Sequence, residues 1–375
     1  EETLQLYVPE EHRSAIGNKA TARYKFTKIL EDDATQEDVF QATALDAVSA
    51  CLRGFSGAIF AYGQTNSGKT WTVTGGESFE QRGLTPRAIE QLFREIRDDT
   101  DETNGQSVRY KVRASYLEVY EERVYDLLDV SNRDKPVEEW AAVSVLADAE
   151  GNQVLKGLTT FDVDNEEDAL NLFFMGNSHR VMGETPVNRA SSRSHAVFAL
   201  AVTSERKEEV DGSGNPGDRA SSNNSSSGGS GHDTMARGET RTIVTRGELT
   251  LVDLAGCERM YKNDRHGYSA GLEDNAASEL LAGTADPDAA AAALSVQGKR
   301  KTAREREGNS INVSLHKLEK VMLALKNPGS SHVPYRESTL TSVLRKSLGR
   351  KCRTVFVVTL SVDLDDLGET VTACR

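Results

Sequence analysis

The chain has 375 residues, 37% of them apolar, and a formal net charge of −13, a length that can bury a large core as one big α/β domain or two smaller ones. The acidic balance argues against a general nucleic-acid binder, and against any polyanionic partner unless basic residues gather on one face. No apolar run approaches the roughly 18 residues of a membrane span, so nothing here reads as crossing a bilayer.

The opening "EETLQLYVPEE" is acidic and alternating, unlike a secretory leader. A helical pattern follows over 37–52, then the buried strand "AIFAYG" (58–63), then helix over 84–99. "VRYKVRASYLEVY" (108–120) reads as a long strand, 166–182 as a helix and 196–205 as a strand. Residues 207–239 are Gly/Ser/Asn-rich with almost no apolar side chains; they cannot offset their own ordering entropy, so disorder is expected. "ELTLVDLAG" (248–256) is a buried strand. Residues 262–306 carry no apolar face that organises the whole, although their alanine run suits a helix, and they end in the charged run "KRKTARERE". Helices over 310–326 and 338–348 and a strand over 354–362 complete the pattern. Strands interleaved with helices predict an α/β three-layer sandwich around a largely central sheet. Cysteines 51, 257, 352 and 374 show no metal or redox spacing, which fits a reducing compartment of cytosolic type.

The sharpest motif is Gly63-Gln64-Thr65-Asn66-Ser67-Gly68-Lys69-Thr70, which fits G-x-x-x-x-G-K-[ST] and lies between a strand and helix-compatible "KTWTV". Its glycines let backbone amides turn onto phosphate oxygens at a helix N-terminus. Lys69 reaches the β- and γ-phosphates of a nucleoside triphosphate, and the Thr70 hydroxyl ligates Mg²⁺. Asp253, closing a hydrophobic strand, suits a carboxylate that holds Mg²⁺ through water. Gly256 leaves its amide free to approach a γ-phosphate. A guanine-specifying N-K-x-D is not found: Asn18-Lys19 continues Ala-Thr.

With "NRASSRSH" (188–195) and "LVDLAGCE" (251–258) in order after that loop, the sequence resembles the kinesin motor domain. "SYLEVYEERVYDLL", "SINVSL", "HVPYRESTLTSVLRKSLG" and "ETVTACR" extend the resemblance over nearly the whole chain apart from the two low-complexity segments. The opening and the region 144–176 are most like the ciliary kinesin-nine class. The resemblance implies a single P-loop ATPase head over 1–375, its central sheet mixed and mostly parallel, that binds ATP and Mg²⁺ and works on microtubules, in the cytoskeleton of the cytoplasm or of a cilium. It implies that Ser191 and Ser192 belong to switch I, with Ser192 touching Mg²⁺ or its water and the γ-phosphate, and that Asn188 lies beside the triphosphate. It implies a bridge between Arg193 and Glu258 that closes the switches around Gly256 and positions the attacking water, and Phe55 and Trp71 packed around the adenine. His195 reads as a packed, strand-entry histidine, and Cys257, where the family usually has serine, as a small buried substitute.

The resemblance places the track-binding face on Lys317, Lys320, His332, Tyr335, Arg336, Arg345 and Lys346. A local basic patch can coexist with net acidity because salt confines fields to about 10 Å. Val313 stands where the family usually has lysine, and Thr339 and Ser342 replace residues commonly basic. The segment 262–306 is a greatly enlarged switch II loop. The family's first strand would precede residue 1, and the last helix would continue past Arg375, so oligomeric state would be set outside this chain. Two functions stay open: a microtubule-stimulated ATPase that generates force, and a nucleotide-gated microtubule scaffold that hydrolyses slowly without walking.

Overall fold

Alternation along the central strands sorts their side chains onto two faces, and helices cover both. The computed structural model describes residues 1–11, 13, 17–102, 108–132, 135, 139–148, 153–182, 193–210, 239–257, 312–327, 329, 332–349, 352–361 and 363–374. In chain order these form β1 (Glu2–Tyr7), β2 (Thr21–Phe26), α1 (Gln36–Thr43), α2 (Leu45–Leu52), β3 (Ser56–Tyr62), α3 (Lys69–Val73) and α4 (Leu84–Glu102). Next come β4 (Val108–Tyr120), β5 (Arg123–Asp126), β6 (Ala142–Ala147), β7 (Gln153–Lys156), β8 (Phe161–Val163), α5 (Glu166–Met182), β9 (His195–Val210) and β10 (Glu239–Asp253). Helix α6 spans 312–326, followed by α7 (Thr339–Val343), β11 (Cys352–Val358) and α8 (Leu367–Cys374).

A nine-stranded sheet runs β11-β3-β10-β9-β4-β5-β6-β7, with β8 beside β4, and β1 and β2 form a separate antiparallel pair. Ile59, Leu249, Leu251, Phe198, Leu200, Ala114 and Tyr116 face one core, packed with Phe40, Val48, Ile89, Leu92 and Phe173 from α1, α2, α4 and α5. Their strand neighbours Phe60, Val252, Val197, Leu117 and Val119 face the other, against Leu315, Leu318 and Val321 of α6 and Leu340 of α7. The three-layer α/β sandwich is therefore as expected.

The sheet is mixed, but it corrects the expectation of a mostly parallel one. Parallel pairing joins β3 to β10 and β11; the other pairs among the described residues are antiparallel. β4 and β5 are sequence neighbours that return directly on one another and so pair antiparallel, and β9 lies antiparallel to both β4 and β10. Between β4 and β5 the return takes two residues, Glu121 and Glu122, both in left-handed backbone (φ 47° and 59°), as tight hairpin turns require.

Other boundaries shift for local reasons. The helix expected over 37–52 breaks at Ala44 (φ −104°), where the Thr43 hydroxyl donates back to the Val39 carbonyl at 2.6 Å. Upstream, Thr35 and Asp38 form a reciprocal capping box that starts α1. The β9–β10 ladder pairs Lys207 through Val210 with Thr242 through Glu239. The insertion expected over 207–239 is thus strand at its rims; 211–238 lie outside the described residues, as do 262–306.

Candidate active site

The phosphate-loop motif stands between β3 and α3, the strand–loop–helix setting its chemistry needs. β3 is buried from Gly57 to Ala61 and fixes where the loop begins. A Cβ on Gly63 would collide with the Thr359 carbonyl and hydroxyl and with Ser67 Oγ, so only glycine fits there. Asn66 (φ 64°) and Gly68 (φ 98°) take left-handed backbone that curls the loop over the first turn of α3. Ser67 Oγ donates to the Gln64 carbonyl at 2.8 Å and lies 2.6 Å from Thr359 Oγ1, tying the loop to the end of β11. Lys69 is buried, its Nζ donating to the Gln64 carbonyl at 2.7 Å.

Parallel pairing of β3 with β10 brings the second half of the site alongside. Asp253 sits opposite Ala61 in the register, and the Leu254 and Cys257 amides donate to Ala61 and Gly63 carbonyls at 3.3 and 3.2 Å. Thr70 Oγ1 donates to Asp253 Oδ2 at 2.9 Å. The same oxygen accepts from Arg180 Nη1 at 2.8 Å, while Arg180 Nη2 donates to the Ser194 carbonyl at 3.1 Å and Nε lies 3.7 Å from Glu118 Oε1. Burial opposes the Arg180 charge, but the surrounding carboxylates, Asp253 foremost, hold its pKa above the ordinary arginine value.

A magnesium triphosphate fits these residues. Asp253 Oδ1 is a buried oxygen with no hydrogen-bond partner among the described residues, positioned for a metal-bound water. The other oxygen is held by Thr70, the hydroxyl expected to ligate the metal.

His195 opens β9 beside this cluster. It is almost fully buried, and its Nδ1 accepts the Ala255 amide at 3.0 Å. The ring proton therefore sits on Nε2, 2.9 Å from Ser314 Oγ on α6. Burial, then the Arg180 and Lys69 charges, pull the imidazole pKa down to about 3.

The structure thus brings together Gly63, Gln64, Thr65, Asn66, Ser67, Gly68, Lys69, Thr70, Asp253 and Gly256. Asn188, Ser191, Ser192 and Glu258 lie outside the described residues; Arg193 is described and half-buried. Trp71 is half-exposed on α3, with its ring against the turn at Gly76. Phe55 is a correction. It precedes β3, at the opposite end of that strand from Gly63, about 26 Å away at the usual rise per residue. It therefore cannot share an adenine pocket with Trp71. Sequence reasoning missed Arg180, Glu118 and Ser314, and it left His195 without chemistry. Only Arg180 left a trace, as a basic side chain in the last turn of α5 shortly before the switch motif.

The basic candidates gather on the α6–α7 side. Lys317 and Lys320 on α6 face Glu337, which pairs with Lys317 and lies 3.8 Å from Lys320. The Arg345 guanidinium lies 5.4 Å from the Tyr335 ring centroid, and His332, Arg336 and Lys346 are exposed. Val313 is half-exposed, Ser342 donates to the Tyr335 carbonyl at 3.0 Å, and Thr339 is taken up by Glu122, whose carboxylate accepts its amide at 2.6 Å.

A kinesin motor domain family model matches residues 5–277 and 289–375. The chain is 33% identical over 377 residues to kinesin-like protein KLP1 of Chlamydomonas reinhardtii, covering 100% of the chain and 38% of that protein. It is 31% identical to bovine kinesin-like protein KIF3C over 97% of the chain and 39% of the relative. It is 30% identical to mouse kinesin-like protein KIF9 over 97% and 37%. The chain therefore spans less than half the length of these relatives. A solved structure described as a fast kinesin superposes with a TM-score of 0.68 at 26% identity, over 100% of this chain and 81% of that one.

Proposed function

Since this chain belongs to the kinesin motor-domain family, we propose that it is a microtubule-stimulated ATPase head that converts ATP hydrolysis into force or movement along microtubules. The observation that carries this reading is the meeting of Lys69, Thr70 and Asp253 at one place, with the next residues of the same strand end tied through His195 to α6. ATP and Mg²⁺ are the ligands in this reading, the metal supplying positive charge to the phosphate oxygens. The Gly63–Gly68 amides and Lys69 would hold the triphosphate, Thr70 would offer its hydroxyl to the metal, and Asp253 would orient a water beside it. We assign Ser192, with Ser191 and Asn188, to the γ-phosphate side, Gly256 to the γ-phosphate through its amide, and the Arg193–Glu258 bridge to the attacking water. Little covalent help is needed: charge neutralisation and in-line positioning suffice.

The partner is the microtubule, met by the α6–α7 side; nucleic acid and membranes are not among the partners we propose. Among the described residues no helix is long and apolar enough to cross a membrane. The placement is cytoskeletal, and the kinesin-nine resemblance extends it to the cilium. We read 1–375 as one head, with insertions within 207–239 and 262–306.

The test is ATP turnover titrated with microtubules at low and moderate salt. Saturable stimulation that weakens with salt, together with loss of tight ATP binding in Lys69→Ala, is the expected result. A slow, flat rate with microtubule binding intact would mean a scaffold that grips without walking.

A further inference from the structure

Resting on that reading, we propose that His195 is a positioning residue that latches α6 to the switch II backbone through Ser314. Three elements meet at this imidazole. Its own backbone is fixed by the start of β9, where the next residue, Ala196, pairs with Asp253. Nδ1 takes the amide of Ala255, two residues past Asp253 and next to Gly256. Nε2 reaches the Ser314 hydroxyl in the first turn of α6. Both His195 and Ser314 are buried, so water cannot replace a lost partner.

The ring is rigid and offers one acceptor and one donor, at fixed separation. Drawing the Ala255 amide away would strand Nδ1 as a buried acceptor, so the imidazole must follow the amide, and Ser314 must follow the imidazole. A displacement beginning at the γ-phosphate side of Gly256 therefore arrives at the base of the helix that carries Lys317 and Lys320. Because the Ser314 contact lies outside the nucleotide site, it acts on communication and not on ATP chemistry.

Ser314→Ala removes the latch with the smallest change of shape. In the whole head, basal turnover and the KM for ATP should stay within about twofold of wild type, while microtubule-stimulated kcat falls about tenfold, in the usual range of coupling between sites. A merely structural loss would lower basal and stimulated rates together and leave their ratio intact. His195→Asn combined with Ser314→Ala should be no worse in stimulation than His195→Asn alone, because both break one connection. Stimulation equal to wild type in Ser314→Ala would overturn the latch while leaving the proposed function standing. A wild-type head that microtubules do not accelerate would overturn both.

Discussion

At the scale of single residues, the His195 imidazole shows how burial sets chemistry. Its pKa is pulled from 6.5 to about 3, first by desolvation and then by Arg180 and Lys69. The native ring is neutral while the unfolded ring titrates normally, so the unfolded state binds the extra proton. Stability is thus fully present above pH 6.5 and falls as pH drops from there toward 3. Between pH 7 and pH 5 this one group should cost about 2 kcal/mol. Urea unfolding at both pH values should show that much less acid sensitivity in His195→Gln than in wild type. Equal sensitivity would mean the ring is charged in the native state. Legibility divides at this scale by how local a signal is. The eight residues of the phosphate loop declare themselves because the motif is contiguous. The Arg180–Asp253–Glu118 cluster joins α5, β10 and β4 across sequence gaps that carry no local pattern, so only the folded chain reveals it. Phe55 failed for a related reason: a neighbour of the strand in sequence lies a full strand length from the loop.

Among the elements, α5 and β4 meet at one close approach. A Cβ on Gly176 would run into the Tyr116 ring, whose hydroxyl donates to Asn177 Oδ1 at 2.7 Å and which stacks on Phe173 and meets Phe198 edge to face. Alanine normally favours a helix over glycine by about 1 kcal/mol. Here Gly176→Ala should instead destabilise by roughly 2 kcal/mol or more, because a packed aromatic cluster must shift. Chemical denaturation settles the sign: a gain in stability would show that the cluster yields easily. Periodicity located α5 within the sequence, but it carries no information about which residue a crossing strand demands be small. The break at Ala44 was hidden for another reason, since the apolar pattern runs through it and only a threonine hydroxyl marks the kink.

Taken whole, the molecule has a charge of −13 yet carries Lys317, Lys320, Arg336, Arg345 and Lys346 along α6, α7 and their flanking turns, with Glu337 against the two lysines of α6. Net charge alone therefore does not decide against an acidic partner, because these cations share α6, α7 and the turns that flank them. Glu337 offsets two of them directly. Glu337→Gln should tighten microtubule binding about threefold at low salt, with the gain vanishing as salt rises. A gain that persists in high salt would place Glu337 in a direct contact instead of an electrostatic one.

The long β9–β10 ladder has a practical consequence. One end carries Asp253; the other closes with Val210 against Glu239, fourteen residues up the strand, or roughly 45 Å at the usual rise. A fluorophore, an affinity handle or a surface tether fused beyond Val210 would ride on a stiff mast, far enough from the phosphates to leave turnover undisturbed.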